Sequence, residues 1–185
     1  MKDQKKELIG WLKAIILAIT VAVSVRVFFF ETVLVEGHSM MPLINDLDKV
    51  LVSQVSYTFK EPERFDIVVF EGPEDEDKSY VKRVIGLPGE TVSYIDDKLY
   101  INGQYIKEPF LEQFKQSLTE GYLTENFNLN DKIGQITVPE NHVFVLGDNR
   151  RFSKDSRHIG TIPMEDIFGK GLFVYWPTDH IKWIK

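Results

Sequence analysis

The 185-residue chain has no cysteine, which excludes disulfides, zinc–thiolate sites and a cysteine nucleophile and leaves its compartment open. It has no His-x-x-x-His pair, no G-x-x-x-x-G-K phosphate loop and no internal repeat. Basic clusters are missing from most of it. Residues 1–30 carry +3 (Lys2, Lys5, Lys6, Lys13 and Arg26 against Asp3 and Glu7), so the net charge of −6 leaves −9 on the rest. An acidic domain without a basic patch argues against a nucleic-acid partner. One anchor plus one domain is the natural count for this length.

Long apolar runs are equally scarce, with one exception. From Leu8 to Phe30 the chain is apolar except for Gly10, Lys13, Thr20, Ser24 and Arg26. As a helix of about 1.5 Å per residue it reaches roughly 34 Å, enough for a hydrocarbon core of about 30 Å. Lys13 and Arg26 can snorkel to the interfaces. The uninterrupted part, Ala14 to Val25, also has the length of a signal-peptide core. A retained anchor is the favoured reading, because Arg26 and Phe28-Phe29-Phe30 make a poor small-residue cleavage site. The basic excess before the span puts residues 1–7 in the cytoplasm, 8–30 in the membrane and 31–185 outside.

Beyond the span the pattern is one of short strands. Lys49–Val52, Ile67–Phe70, Tyr80–Ile85, Thr91–Ile95, Leu99–Ile101, Gln104–Ile106, Val143–Leu146 and Leu172–Trp176 read as strands, separated by turn signals such as Leu87-Pro88-Gly89 and Asn102-Gly103. Glu74–Lys78 reads as a solvated loop, and 107–136 as an excursion with a helical turn near Leu111–Leu118. The fold class is mainly β: an N-terminal transmembrane helix followed by an antiparallel sheet domain.

Hydrolysis without cysteine needs serine, threonine or paired carboxylates, and a serine needs a base. Gly37-His38-Ser39-Met40-Met41-Pro42 places Ser39 where the backbone is punctuated, either an ordinary loop or a nucleophile's turn. His38 points away from Ser39 on an extended chain. His142 and His180 read as surface residues, and His158 is the best histidine for a Ser-His-Asp arrangement. A lysine base must be neutral, which demands burial. Lys82 is mid-strand with Tyr80 and Val84 on its face; Arg83, on the other face, stays protonated. By pattern alone, a solvated face is the commoner fate of a strand lysine, and the functional reading of Lys82 stays open.

The ordered motifs Ser39-Met40-Met41-Pro42, Asp48–Val52, Asp66–Phe70, Tyr80–Gly89 and Gly147-Asp148-Asn149-Arg150 with Ser153, Asp155, Ser156 and Arg157 resemble the type I (leader) signal peptidases, in a Gram-positive-like form. The resemblance implies a membrane-anchored serine endopeptidase that removes signal peptides from exported preproteins after Ala-X-Ala sites, without a cofactor or metal. It implies Ser39 as nucleophile and Lys82 as general base. Ser153 would orient the lysine, Asp155 and Arg157 would form a buried ion pair, and Asp148 and Arg150 would fix the turn. Val35, Met40 and Val81 match positions lining shallow substrate pockets. Gly37 stands where some relatives have an oxyanion-binding serine, leaving backbone or water as donor. Exported preproteins, membrane lipid and proximity to the secretion translocon are the partners implied.

Several positions depart from the family pattern. Leu43 stands for threonine, Leu47 and Phe65 for glycines, and Arg151-Phe152 for Asp-Asn. Arg151 places a cation near the loop supporting Lys82, able either to lower the lysine pKa or to misplace Ser153. Two other readings compete. One is a LexA-type self-cleaving protease, which would carry a DNA-binding N-terminal domain instead of the apolar span. The other is a catalytically silent homologue that binds preproteins.

Overall fold

The computed structural model describes residues 2–72 and 75–184. Helix α1 (Lys2–Phe29) contains a 21-residue stretch, Ile9–Phe29, long and apolar enough to cross a membrane, and that apolar stretch is exposed rather than buried in the protein. It ends one residue earlier than the sequence suggests, because Phe30 opens strand β1 (Phe30–Leu34). The chain continues through β2 (Lys49–Ser53), β3 (Ile67–Gly72), β4 (Asp75–Gly86), β5 (Val92–Ile95), β6 (Lys98–Ile101) and β7 (Gln104–Ile106). Then come α2 (Glu112–Ser117), β8 (Phe127–Asn128), α3 (Leu129–Ile133), β9 (His142–Leu146), α4 (Ser156–Ile159), β10 (Ile162–Pro163), β11 (Ile167–Trp176) and β12 (Lys182–Trp183).

All strand pairings described are antiparallel. The larger sheet runs β1-β2-β11-β3-β4-β9-β10, with β12 added to β11; the smaller runs β7-β6-β5-β8. The continuous β-branched runs explain the middle of the large sheet. Strand β3 buries Ile67 and Val69 in one apolar cluster and Val68 and Phe70 in another, and such two-sided burial selects near-continuous apolar strands. Val92, Tyr94, Leu99 and Ile101 of the small sheet pack with Ile85, Phe144 and Leu146 of the large one.

The predicted turns form for the stated reason. Glu90 N donates to Leu87 O with Pro88 and Gly89 (φ +76°) between them, and Asn102 and Gly103 both have positive φ, the type II and type I′ patterns. Two expectations change. Of the segment read as a solvated loop, Asp75–Lys78 belongs to β4, and Glu74 lies outside the described residues. Strand β11 starts at Ile167, five residues before the predicted Leu172. Gly169 hides that start: glycine reads as a break, yet here a Cβ would stand 2.3 Å from Val52 Cγ1, so close strand packing demands it. The 107–136 excursion does contain a short helix, α2.

Candidate active site

Ser39 sits in a turn closed by Met41 N donating to His38 O (3.2 Å); the Met41–Pro42 bond is cis. Gly37 has φ +91°, a conformation that favours glycine, and its N–H donates to Asp46 Oδ1 at 2.7 Å. From the other side, Asn149 N donates to Ser39 O (3.0 Å) and Asn149 Nδ2 to His38 O (3.0 Å). The Gly147–Arg150 turn after β9 therefore grips the Ser39 turn directly.

Strand β4 delivers Lys82 to this place. Its Nζ donates to Ser39 Oγ at 2.9 Å and to Val81 O at 3.0 Å, 5.2 Å from the centre of the Tyr80 ring. Lys82 is 4% exposed. Burial lowers its pKa from 10.5 to about 8, against the opposing pull of Asp155 and Asp148. A large fraction of the amine is thus unprotonated in mildly alkaline solution and can accept the Ser39 proton across a single hydrogen bond. His158 is exposed on α4 and does not line the groove beside Ser39.

The loop after β9 is built from buried charge. Arg157 clasps Asp155 through two 2.8 Å bonds, and Asp155 Oδ2 also accepts from Gly147 N at 3.1 Å. Arg150 is fully buried; its guanidinium donates to Glu108 Oε1 (2.5 Å), Tyr94 OH (2.5 Å) and Thr124 Oγ1 (3.2 Å). Arg83 clasps Asp148 at 2.8 and 2.7 Å with both groups buried. Both faces of β4 are therefore interior from Val81 to Ile85, which answers the question that alternation left open. Glu108, Tyr94 and Asn149, and Arg83 as partner of Asp148, were not foreseen from the sequence. Asn149 lay inside a quoted motif, whereas nothing local marked Glu108.

Ser153 Oγ is buried and accepts or donates no hydrogen bond, so the expected bond to Lys82 is not made among the described residues. Arg151 bonds to neither Lys82 nor Ser153 among the described residues. Its guanidinium is taken up by Tyr122 O and Glu120 O (2.6–2.9 Å), and Phe152 beside it is 75% exposed.

A groove of about 520 Å³ runs from Ser39 and Lys82 between two chain segments, residues 31–36 and 78–82, with Lys154 at its side. Val35 and Val81, each 5% exposed, line it; Met40 is completely buried beneath them and is not part of its wall. Strand β1 pairs only with β2, and residues 79–81 of β4 only with β3, among the described residues. Two free backbone edges thus border the groove, the arrangement that receives an extended peptide. The described residues contain no group of histidines and carboxylates able to hold a metal ion.

Known proteins match this architecture. The family described as signal peptidase, peptidase S26, matches residues 8–176. The chain belongs to that family. It is a serine peptidase of the signal peptidase I type, a hydrolase. Signal peptidase I of Bacillus caldolyticus is 46% identical over 160 residues, covering 86% of this chain and 87% of that protein. Signal peptidase I V of Bacillus subtilis is 43% identical over 159 residues, 86% and 94% of the two chains. The crystal structure of a signal peptidase I from Enterococcus faecalis superposes with a TM-score of 0.57 at 43% identity, covering 60% of this chain and 97% of that one. The antiparallel β architecture expected from the family is the one observed.

Proposed function

We propose that the chain is a membrane-anchored endopeptidase that cuts signal peptides from exported preproteins after small residues in Ala-X-Ala patterns, with Ser39 as nucleophile and Lys82 as general base. The observation carrying this reading is the 2.9 Å contact between Lys82 Nζ and Ser39 Oγ, made by an amine whose pKa burial has lowered to about 8. Neutral Lys82 takes the proton as Ser39 Oγ attacks the scissile carbonyl. The resulting ammonium returns that proton to the departing amine, leaving an acyl-enzyme. Lys82 then deprotonates water, which hydrolyses the ester and restores Ser39. Because the Gly37 N–H is bonded to Asp46, the Ser39 N–H is the backbone donor assigned to the oxyanion.

The substrate lies extended between residues 31–36 and 78–82. Val35 and Val81 wall the groove closely beside Ser39, so small side chains fit there and large ones clash. Helix α1 anchors the enzyme, with residues 1–7 cytoplasmic and 31–185 outside, next to lipid and to the translocon that delivers preproteins. It runs straight into β1, the groove's own wall, and Ser39 follows Phe30 by nine residues, at most about 30 Å of chain. The nucleophile is thereby tethered near the bilayer that holds its substrate.

The test is mass-spectrometric mapping of products when the detergent-solubilised full chain meets a preprotein with an Ala-X-Ala site. Cleavage after the second alanine, absent in Lys82→Met and Ser39→Ala, is expected. A folded wild type that leaves the preprotein intact returns the chain to the silent-homologue reading.

A further inference from the structure

The loop carrying Ser39 is closed at its base by three residues. Leu47 N donates to Val35 O (2.8 Å), and Val35 N donates to Asp48 O (2.9 Å). Between these points the chain leaves the sheet, so residues 36–47 have no ladder to hold them. The carboxylate at the base, Asp48, is completely buried. A buried carboxylate needs donors. One is Asn45 N, from within the loop, at 2.8 Å to Oδ2. The other comes from 132 residues away: His180 Nδ1 lies 2.7 Å from Asp48 Oδ1. With Nδ1 in its N–H form, the ring donates to that oxygen.

His180, expected to be a surface residue of a polar tail, keeps 35% of its side-chain surface exposed while its ring reaches Asp48. The tail holds it in place. After β11 the chain turns through Thr178–His180 and comes back as β12, pairing Trp183 with Phe173 and Lys182 with Val174; Ile184 N also donates to Leu172 O (3.0 Å). His180 Nε2 faces Asp179 Oδ2 at 3.9 Å, and Asn45 Nδ2 lies 3.4 Å from Nδ1. The family match stops at residue 176, so this brace lies in the segment beyond it.

We propose that His180 is a positioning residue for catalysis: through Asp48 it fixes the base of the Ser39 loop, and so the aim of Ser39 Oγ at Lys82. The inference rests on Ser39 being the nucleophile. It separates two parts of the site. Val81, the groove wall on β4, is held by the β3–β4 ladder, where it pairs with Val69, whereas the Ser39 loop, rooted in the core by Met40 and Ile44, takes its aim from its base and from the Asn149 bonds. Loss of His180 therefore misaligns the nucleophile without removing the wall.

The experiment measures kcat and KM on a preprotein, and the rate at which a serine-reactive phosphonate labels Ser39, in the full-length detergent-solubilised enzyme. His180→Ala is expected to lower kcat and the labelling rate on the order of tenfold, as a small misplacement of reacting atoms does, with KM within about twofold of wild type. His180→Asn, whose Nδ2 can stand where Nδ1 stands, restores most of the rate. In the His180→Ala background, Asp48→Asn costs little more, because the two act as one unit. Labelling of folded His180→Ala at the wild-type rate overturns the inference, as does a change confined to KM or an Asn variant no better than Ala. A wild type unlabelled at Ser39 removes the nucleophile reading and this inference together, whereas the preceding results strike the brace alone.

Discussion

Gly147 comes so close to Ser39 that a single carbon added to it would stand 2.4 Å from the Ser39 carbonyl oxygen, and 2.3 Å from Ser153 Oγ. Neither neighbour can yield: one is backbone, and the other belongs to the buried loop braced by Asp155 and Arg157. Gly147→Ala must push the Ser39 turn away from β9. Overpacking of this kind costs about 1–3 kcal/mol, and a shift of the nucleophile near 1 Å costs about 100-fold in rate. The expected variant is folded, a few degrees less stable and almost inactive, as thermal unfolding and preprotein cleavage will read.

The pH profile follows from the Lys82 amine. Only its neutral form is a base, and its pKa is about 8 in the folded chain. The rate should fall about tenfold per pH unit below 8 and level off above it. Measuring kcat/KM from pH 6 to 10 checks this, and a limb near 10.5 instead would mean a solvated lysine. Stability is linked to the same proton. Between about 8 and 10.5 the unfolded lysine is protonated and the folded one is not, so stability rises with pH across that window.

Below pH 8 the buried ammonium opposes folding. The difference between 10.5 and about 8 corresponds to roughly 3 kcal/mol. Lys82→Met keeps the apolar stem and removes the charge, so it should abolish cleavage while raising the unfolding temperature at pH 7 by several degrees. An inactive variant less stable than wild type would contradict the desolvation argument.

Leu47 and Phe65, the two departures from expected glycines, both hold left-handed backbone, at φ +64° and +74°. Such a conformation costs a side-chain-bearing residue about 1–2 kcal/mol. Leu47 is 59% exposed and loses little packing when trimmed, so Leu47→Gly should stabilise by about 0.5–1 kcal/mol after the glycine's entropy is counted. Phe65 stacks edge-on against Phe110 at 5.1 Å, so Phe65→Gly should destabilise despite the same relief. Thermal melts of the two variants make the comparison.

Eight of the twelve strands described, the hairpin turns and the apolar helix were legible locally, and the pair Ser39/Lys82 by family resemblance, whereas β1 and the two-residue strands β8, β10 and β12 were not foreseen. Each rests on short-range chemistry: β-branched runs, Pro-Gly and Asn-Gly turns, an uncharged span, a motif repeated in a family. Bounds failed where local rules conflict with packing, as at Gly169, where a residue that usually ends a strand is demanded by the Val52 side chain. Burial around Lys82 was undecidable from alternation, because alternation assumes one wet face and β4 has none from Val81 to Ile85.

What the tertiary structure alone decided is which distant charges meet. Nothing adjacent to Arg150 announces Glu108, nothing near Asp48 announces His180, and Arg151 turned to the carbonyls of residues 120 and 122 rather than to Lys82. The lysine's basicity belongs to the same class. Sequence supplied an ordinary amine; the folded chain removed water from around it and set Ser39 Oγ 2.9 Å away. Desolvation and ion pairing depend on groups brought together across the fold, so no window of sequence contains them.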